Sequence, residues 1–250
     1  MLKADNVTIR FGGLTAVDHV SMDIAANKIT GLIGPNGAGK TTFFNSISGV
    51  YVPDEGSVIF DGKRIDGKKP YQINAAGISR TYQVINLFWK MDVLDNVLVG
   101  MHSKLKSGYL ADMFRLPKQR KEEKEAHESA MKWLDFAGLT AYANEPASNL
   151  SYGKQRLLEI VRGLASEPKL ILLDEPAAGM NSTEKKELDE LLKKIIKMGV
   201  TILMIEHDMK LMMDVCDYIY VLNDGKLLAH GVPKEIQNNP DVITAYLGGE

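Results

Sequence analysis

The sequence predicts an α/β protein with a mainly parallel sheet that carries helices on both faces. Short apolar strands alternate with amphipathic helices, and a long helical block interrupts this alternation near residues 86–163. The chain has 250 residues, enough for one large domain. We therefore expect a single domain over residues 1–250, with an α/β core from 1–85 and 164–250 and a helical insertion from 86–163.

The first third of the chain predicts an antiparallel β-rich start, then a buried strand and a helix. Two strands flank "GGLT" in a hairpin-like arrangement, and "KITGLIG" is an apolar run before a glycine-rich loop. "KTTFFNSISGV" predicts a helix that ends near Gly49. The strands predicted in this part cover residues 2–11, 17–24 and 28–34. Residues 56–65 predict a further strand and turn, and residues 77–83 a strand that runs into a loop.

The helical block has a charged middle, "RLPKQRKEEKEAHESAMKWLDFAGL". Its mixed-sign charges indicate a solvated helix face, and its apolar positions follow helical spacing. These apolar positions are Ala126, Ala130, Leu134 and Ala137.

The α/β alternation returns at residue 169. "KLILLDE", "VTILMIE" and "YIYVL" predict strands, with helices between them at 183–198 and 208–214. "NDG" at 223–225 predicts a hairpin turn into a last strand, "KLLAHG". "PKEIQ" and "DVITAYL" predict two short helices at the end.

The composition indicates a soluble cytoplasmic protein. The formal net charge is −2, so neither nucleic acid nor an anionic membrane is required as a partner. The single cysteine, Cys216, cannot form an internal disulfide and is expected in the core. No apolar run reaches the ~18 residues of a membrane helix, and the first residues lack a signal-peptide pattern.

The segment "GPNGAGKT", from Gly34 to Thr41, fits the phosphate-loop pattern G-x-x-x-x-G-K-[ST]. An apolar strand precedes it and a helix follows, as a phosphate loop requires. Its glycines let backbone N–H groups turn towards phosphate oxygens, Lys40 can reach the β- and γ-phosphates, and the Thr41 hydroxyl can bind Mg²⁺. The alternative is a glycine-rich turn without a ligand.

The segment "LILLDE" ends an apolar run with two acidic residues, which is costly unless they face a polar site. We assign Asp174 to Mg²⁺, directly or through water. Glu175 then lies one residue nearer the γ-phosphate and is suited to polarise the attacking water. The alternative is a strand end that meets solvent.

Two further polar residues follow predicted strands. His207 comes just after "MIE", and Gln83 ends "ISRTYQ". Because parallel strands bring their carboxyl ends to one edge, His207 is expected to face the γ-phosphate, with a structural histidine as the alternative. Gln83 can contact Mg²⁺ or water at the boundary of the helical block.

A third glycine-containing segment, "NLSYGKQRLLEI", lies far along the chain from the phosphate loop. Ser151 can cap a helix, and an apolar stripe follows at helical spacing. Taken alone, the segment predicts only a capped, solvated helix start. The stripe consists of Leu157, Leu158, Ile160 and Val161.

Together these residues resemble the ATP-binding cassette (ABC) ATPase family, with the motifs in family order over nearly the whole chain. The resemblance implies a RecA-like core sheet with an inserted helical signature subdomain. The matching segments are Gly34–Thr42 (Walker A), Gln83 (Q-loop), Leu150–Lys154 (signature), Leu170–Glu175 (Walker B), Ala178–Asn181 (D-loop) and His207 (switch histidine).

The resemblance also implies the site residues. In the family, the signature motif of one subunit closes over the nucleotide of the other, so Ser151 and Gly153 are expected to bind the partner's γ-phosphate. The nucleotide-binding candidates are Phe11, Gly34, Pro35, Asn36, Gly37, Ala38, Gly39, Lys40, Thr41, Thr42, Ser151 and Gly153. The catalytic candidates are Lys40, Gln83, Glu175 and His207, and the metal-binding candidates are Thr41, Gln83 and Asp174.

Four positions in three motifs depart from the common family pattern. The signature is Leu-Ser-Tyr-Gly-Lys instead of Leu-Ser-Gly-Gly-Gln, so Tyr152 adds bulk, and Asn181 replaces the usual Asp of the D-loop. The adenine-stacking position carries Phe11 instead of Tyr. Phe11 still offers a π-face, and the alternative is that it belongs to the core.

Longer segments, including "RFGGLTAVDHVS" and "IEHDMKLMMDVCDYIYVL", are similar to the ATPases of branched-chain amino acid importers. A helical segment near 102–125 resembles the longer of their two ATPases. This implies ATP and Mg²⁺ as cofactors. It also implies membrane permeases and a second ATPase subunit, in a homo- or heterodimer, as partners, and a solute-binding protein as an indirect partner. The chain is then expected on the cytoplasmic face of the membrane.

Other functions fit less well. Another ABC system, such as lipopolysaccharide export or other amino acid transport, remains an alternative. ABC proteins that act on ribosomes or DNA are expected to carry two cassettes or a coiled-coil insert, and this chain shows one cassette without sustained heptads. A kinase or GTPase leaves "LSYGKQ" unexplained, and the guanine motif Asn-Lys-x-Asp does not occur.

An apolar cluster follows Gln83 in "QVINLFWKMDVLDNV". A subunit that docks a permease helix needs exposed apolar surface, and ordinary core is the alternative. The cluster comprises Val84, Ile85, Leu87, Phe88, Trp89 and Met91.

Overall fold

Two β-sheets form the framework of the structure, a computed structural model that describes residues 1–102 and 117–247. The smaller sheet is antiparallel, with strand order β2-β1-β4-β5. Its strands are β1 (Leu2–Phe11), β2 (Leu14–Ile24), β4 (Glu55–Phe60) and β5 (Lys63–Arg64). The predicted antiparallel start is therefore confirmed, although β2 begins three residues earlier than expected.

The larger sheet has the order β10-β9-β3-β8-β7-β6 and is parallel except for the terminal β9–β10 hairpin. The "NDG" turn closes that hairpin, as predicted. Its strands are β3 (Ile29–Ile33), β6 (Ile78–Arg80), β7 (Leu170–Asp174), β8 (Thr201–Ile205), β9 (Tyr218–Asn223) and β10 (Lys226–Gly231).

The helices of the described residues lie where the alternation predicts them, with one addition. The added helix, α2, starts at a proline and ends at Gly77, whose φ of 107° is left-handed. The helices are α1 (Lys40–Ile47), α2 (Pro70–Ala76), α3 (Val93–Gly100), α4 (Pro117–Phe136), α5 (Tyr152–Leu164), α6 (Ser182–Lys197), α7 (Met209–Val215), α8 (Pro233–Gln237) and α9 (Pro240–Leu247).

The parallel sheet separates two hydrophobic clusters, because alternate side chains of a strand point to opposite faces. In β7, Ile171 and Leu173 pack with α3 to α7, whereas Leu170 and Leu172 pack with α1 and the antiparallel sheet. Both pairs are fully buried. The two-sided sheet predicted from the continuous apolar strands is confirmed.

Cys216 lies in the first of these clusters and is buried, as expected. Burial raises the pKa of its thiol to about 12, so it is an inert core residue. A β-carbon at Gly31 of β3 would overlap Met212 and crowd the Cys216 sulfur, which explains the glycine in this strand.

The helical block contains α3, α4 and α5, and Ala130 and Leu134 of α4 are fully buried, as the helical spacing predicts. Part of the expected helical segment near 102–125 falls on residues 103–116, outside the described residues. Among the helices in the described ranges, none combines the length and apolar character needed to cross a bilayer.

Candidate nucleotide site

Four parallel strands deliver candidate site residues to one edge of the larger sheet. The loop after β3 carries the glycine-rich segment, β7 ends at Asp174, β8 precedes His207 and β6 precedes Gln83. These strands are adjacent in the order β3-β8-β7-β6. The sheet topology therefore brings together residues that are more than 170 positions apart in sequence, such as Asn36 and His207.

The glycine-rich segment turns through left-handed backbone at three of its glycines. The φ angles are 151° at Gly34, 81° at Gly37 and 92° at Gly39. A β-carbon at Gly34 would overlap the carbonyl of Leu222, and one at Gly39 would overlap the carbonyl of Ala16. The loop conformation thus requires glycine for both its angles and its packing.

Lys40 begins α1 and folds back over this loop. Its ammonium group donates hydrogen bonds to the carbonyl of Gly34 (2.7 Å) and to that of Pro35 (2.8 Å). Burial lowers the pKa of Lys40, and the nearby carboxylates of Glu175 and Asp174 partly oppose this effect. The Lys40 ammonium group and the N-terminus of α1 therefore both present positive charge at this loop, which favours a bound anion.

Asp174 ends β7 as a buried carboxylate with an ion-pair partner that the sequence did not indicate. Arg80 of β6 lies 3.1 Å from one of its oxygens and also donates to the side chains of Asn45 and Ser48. Burial raises the pKa of Asp174, and Arg80 acts in the opposite direction. The signal available in the sequence was a basic residue inside a predicted strand, "GISRTYQ".

Glu175, His207 and Gln83 meet at the edge of the sheet. His207 Nε2 lies 2.8 Å from one Glu175 oxygen, and the Gln83 amide donates to the other at 3.2 Å. Glu175 itself has a left-handed backbone, with φ of 49°, an uncommon conformation for a residue with a β-carbon. The three side chains that the sequence nominated separately therefore form one hydrogen-bonded group.

The buried residue Glu206 holds two loops beside this group together, and the sequence did not identify it. Its buried carboxylate accepts hydrogen bonds from the backbone N–H groups of Ala177 (2.6 Å) and His207 (2.9 Å). It thereby joins the loop after β7 to the loop after β8. An acidic residue directly after an apolar strand was the available signal, the same one that identified Asp174.

An open cavity of about 380 Å³ lies between the glycine-rich loop and this group. Phe11 is at its rim, 44% exposed and in edge-to-face contact with Tyr51. The alternative that Phe11 belongs to the core is therefore wrong. The residues that line the cavity are Phe11, Leu14, Ala16, Asn36, Gly37, Ala38, Gly39, Lys40, Thr41, Thr42, Gln83, Glu175 and His207.

Ser151 and Gly153 do not line this cavity. Ser151 is the N-cap of α5, and its hydroxyl accepts from the N–H of Lys154. The helix begins as predicted, and its apolar stripe is buried. Tyr152 is 43% exposed and packs beside Gly179, which shows how the bulkier signature residue is accommodated.

A buried arginine on α5 holds the backbone that carries Gln83. Arg156 donates to the carbonyls of Tyr82 and Gln83 and pairs with Glu159 at 3.2 Å. Glu159 in turn accepts from the N–H of Asn86. The signature helix and the loop after β6 are thus connected through a buried ion pair, which the sequence pattern did not indicate.

Comparison with known protein families identifies the family of this chain. The profile of the ABC transporter family matches residues 17–178, more than half of the chain. The chain belongs to the ABC transporter family. A second profile, described as a branched-chain amino acid ATP-binding cassette transporter, matches residues 226–250 of this ABC ATPase.

Individual relatives match this chain over nearly their full length. The chain is 47% identical over 249 residues to the high-affinity branched-chain amino acid transport ATP-binding protein LivG of Escherichia coli K12, covering 99% of this chain and 98% of the relative. It is 45% identical over 249 residues to BraF of Pseudomonas aeruginosa, with the same coverage of both chains.

A solved structure also matches the whole fold. The ADP conformation of MJ1267, an ATP-binding cassette of an ABC transporter, superimposes with a TM-score of 0.87 at 34% identity, over 100% of this chain and 99% of that one. The ABC ATPase fold expected from the motifs is therefore confirmed. The roles of the individual site residues stay predictions.

Proposed function

We propose that this ABC ATPase is the ATP-hydrolysing subunit of an importer of branched-chain amino acids. The observation that carries the proposal is the 47% identity to LivG over 99% of the chain. The match of residues 226–250 to the branched-chain amino acid profile supports the same substrate class. No feature of the described residues favours lipopolysaccharide export or another amino acid as the transported solute.

Hydrolysis is assigned to the hydrogen-bonded group at the sheet edge. Glu175 acts as the general base that polarises the attacking water. His207 and Gln83, each within hydrogen-bonding distance of a different Glu175 oxygen, orient that carboxylate. Lys40 binds the β- and γ-phosphates by exchanging its loop carbonyl partners for phosphate oxygens.

The donor set at this edge fits Mg²⁺, which prefers oxygen ligands and retains several waters. Thr41 supplies a hydroxyl, Gln83 an amide oxygen and Asp174 a carboxylate, of which one oxygen faces Arg80. Bound Mg²⁺ would neutralise phosphate charge. Within the described residues no cluster of three acidic, histidine or cysteine side chains forms a cation cage, so the phosphates themselves would complete the coordination.

The complete site is proposed to form between two subunits. Ser151 and Gly153 lie outside the cavity of their own chain, as expected if they bind the γ-phosphate held by a second ATPase subunit. A post-hydrolysis dimer of the ATP-binding cassette MJ0796, bound to ADP and phosphate, matches this chain with a TM-score of 0.78 and 26% identity, over 93% of this chain and 99% of that one.

The permease contact is assigned to the apolar segment after Gln83. Val84 is 80% exposed, Phe88 47% and Trp89 41%, whereas Ile85 and Leu87 are buried. Met91, the sixth residue of the predicted cluster, is partly buried. The three exposed residues provide the apolar patch that a docking site needs. Docking would place the subunit on the cytoplasmic face of the membrane, with the solute-binding protein as an indirect partner.

Reconstitution tests the function directly. The chain would be assembled in proteoliposomes with its permeases, partner ATPase and solute-binding protein. We expect ATP-dependent uptake of leucine, isoleucine and valine, and no uptake when this subunit carries Glu175→Gln. Uptake of another solute class, with none of these three, would overturn the substrate assignment while leaving the ATPase assignment intact.

A further inference from the structure

The start of α6 contacts the signature motif of the same chain through one side chain, Glu184. One carboxylate oxygen of Glu184 accepts from the Ser151 hydroxyl at 3.3 Å and from the Gly153 N–H at 3.3 Å. These are the two donors assigned above to the partner's γ-phosphate. A negatively charged group of this chain therefore sits on the anion-binding donors of its own signature motif.

Local structure holds Glu184 in this position. Asn181 caps α6, and the second Glu184 oxygen accepts from the Asn181 N–H at 3.1 Å, which forms a capping box. A β-carbon at Gly153 would overlap the Glu184 carboxylate, so the glycine of the motif is what permits this close approach. The contact joins the end of the D-loop to the signature motif.

The neighbouring cation, Lys154, acts on Glu184 through space and makes its hydrogen bond elsewhere. The ammonium group of Lys154 donates to the Tyr142 hydroxyl at 2.6 Å and lies over the Tyr142 ring. The two groups that donate to Glu184, the Ser151 hydroxyl and the Gly153 N–H, are neutral, so the negative charge at this contact is that of Glu184.

We propose that Glu184 is a residue of the composite nucleotide site and sets the ATP concentration at which the two subunits close. A carboxylate and a phosphate cannot share the same two donors, because like charges at such short range repel. The arriving γ-phosphate must therefore displace the Glu184 carboxylate from Ser151 and Gly153. This inference rests on the proposed dimeric site.

The variant Glu184→Gln separates charge from capping. Glutamine serves at this position of a capping box, so the helix start is retained while the competing charge is removed. The matched control is Glu190→Gln, which removes the same charge from an exposed position further along α6. Both variants should melt within a few degrees of the wild type.

Hydrolysis by the assembled transporter would be measured as a function of ATP concentration, alongside nucleotide binding to the isolated subunit. For Glu184→Gln we expect half-maximal hydrolysis at an ATP concentration roughly two- to tenfold lower, the range of an exposed charge interaction. Binding to the isolated subunit should be unchanged, because Glu184 does not line the cavity. Glu190→Gln should match the wild type.

An unchanged or higher ATP requirement in Glu184→Gln would overturn the proposal, as would an equal fall in Glu190→Gln. A fall in Glu184→Gln accompanied by tighter binding to the isolated subunit would also overturn it, since the effect would then arise at the chain's own phosphate loop. Failure of the proposed function looks different: the wild-type transporter itself would show no ATP hydrolysis.

Discussion

The phosphate-loop edge and the signature motif are built in opposite ways. At the edge, the groups assigned to phosphate and water come from adjacent strands of one sheet and contact each other, as in the Glu175–His207 pair. The signature donors Ser151 and Gly153 lie on a helix start outside that cavity, and a carboxylate of the same chain occupies them.

In the proposed dimeric site, the two motifs can lie far apart along the chain because they belong to different half-sites. A half-site within one sheet can be preorganised by parallel strands, because the topology alone brings their ends together. A half-site that closes over another molecule must remain accessible until the partner arrives. In this account, Glu184 satisfies the signature donors in the single subunit and yields them on closure.

The largest effect is expected from Glu175→Gln, which tests the half-site at the phosphate-loop edge of the sheet. The amide cannot act as a general base, so hydrolysis should slow by about 10²–10⁴-fold while ATP binding persists. Steady-state phosphate release and equilibrium ATP binding measure the two quantities. Turnover near that of the wild type, with binding intact, would remove Glu175 from the mechanism.

A smaller effect is expected from Lys40→Ala. Loss of a charge-assisted contact to phosphate should weaken nucleotide binding by about 10- to 100-fold. Lys28→Ala, at the other end of β3 where Lys28 pairs with Asp217, is the matched control and should bind normally. Equal affinities for Lys40→Ala and Lys28→Ala would contradict the assignment of Lys40.

The sequence predicted the residues at the phosphate-loop edge well because each of them is marked by its immediate neighbours in the chain. The glycine-rich loop, the acids after "LILL" and the histidine after "MIE" each follow an apolar strand, so their meeting needed only the parallel topology. Arg80 and Glu184, whose roles depend on a distant partner, escaped prediction, and so did Glu206, although its signal is local. Arg80 and Asp174 are 94 positions apart, and Glu184 and Ser151 are 33 apart.

The segment after Gln83 shows a second limit of the sequence. Its apolar residues fit a helical spacing and a strand alternation equally well, so the pattern could not separate the surface from the core. The exposed residues are Val84, Phe88 and Trp89, and the buried ones are Ile85 and Leu87. Helix α2 was missed for a related reason, since its seven residues bury only Ile73.

The smallest effect on the subunit itself, in its stability and its ATP binding, is expected from replacing Phe88 and Trp89 together by Ser. Both side chains are partly exposed, and the backbone of Phe88 is held by the buried Asn96 side chain, which these changes leave in place. We expect a loss of about 1 kcal/mol or less per residue and unchanged ATP binding, but loss of ATP-dependent transport.

Thermal melting, nucleotide binding and solute uptake separate the outcomes for this double variant. Tyr71→Ser, at an exposed aromatic residue of α2, is the matched control and should transport normally. A large fall in melting temperature for the double variant would show that the segment is core and would refute the docking assignment.

The central claim, that each signature motif completes the site of another subunit, is tested most directly in dimers of this chain with a second copy of itself, by mixing two inactive variants. Ser151→Arg places a bulky cation at the phosphate-facing position, and Lys40→Ala damages the phosphate loop, so each variant alone has two damaged sites. A mixed dimer has one site with both lesions and one with neither. Ser148→Arg, at a nearby exposed serine, controls for the added charge.

ATP hydrolysis of the mixture is the decisive measurement, with crosslinking to establish that mixed dimers have formed. The account predicts that mixing restores hydrolysis that neither variant shows alone, because one of the two sites in each mixed dimer is intact. If crosslinked mixed dimers form and hydrolysis stays absent, the two motifs do not complement one another between subunits, and the account is contradicted.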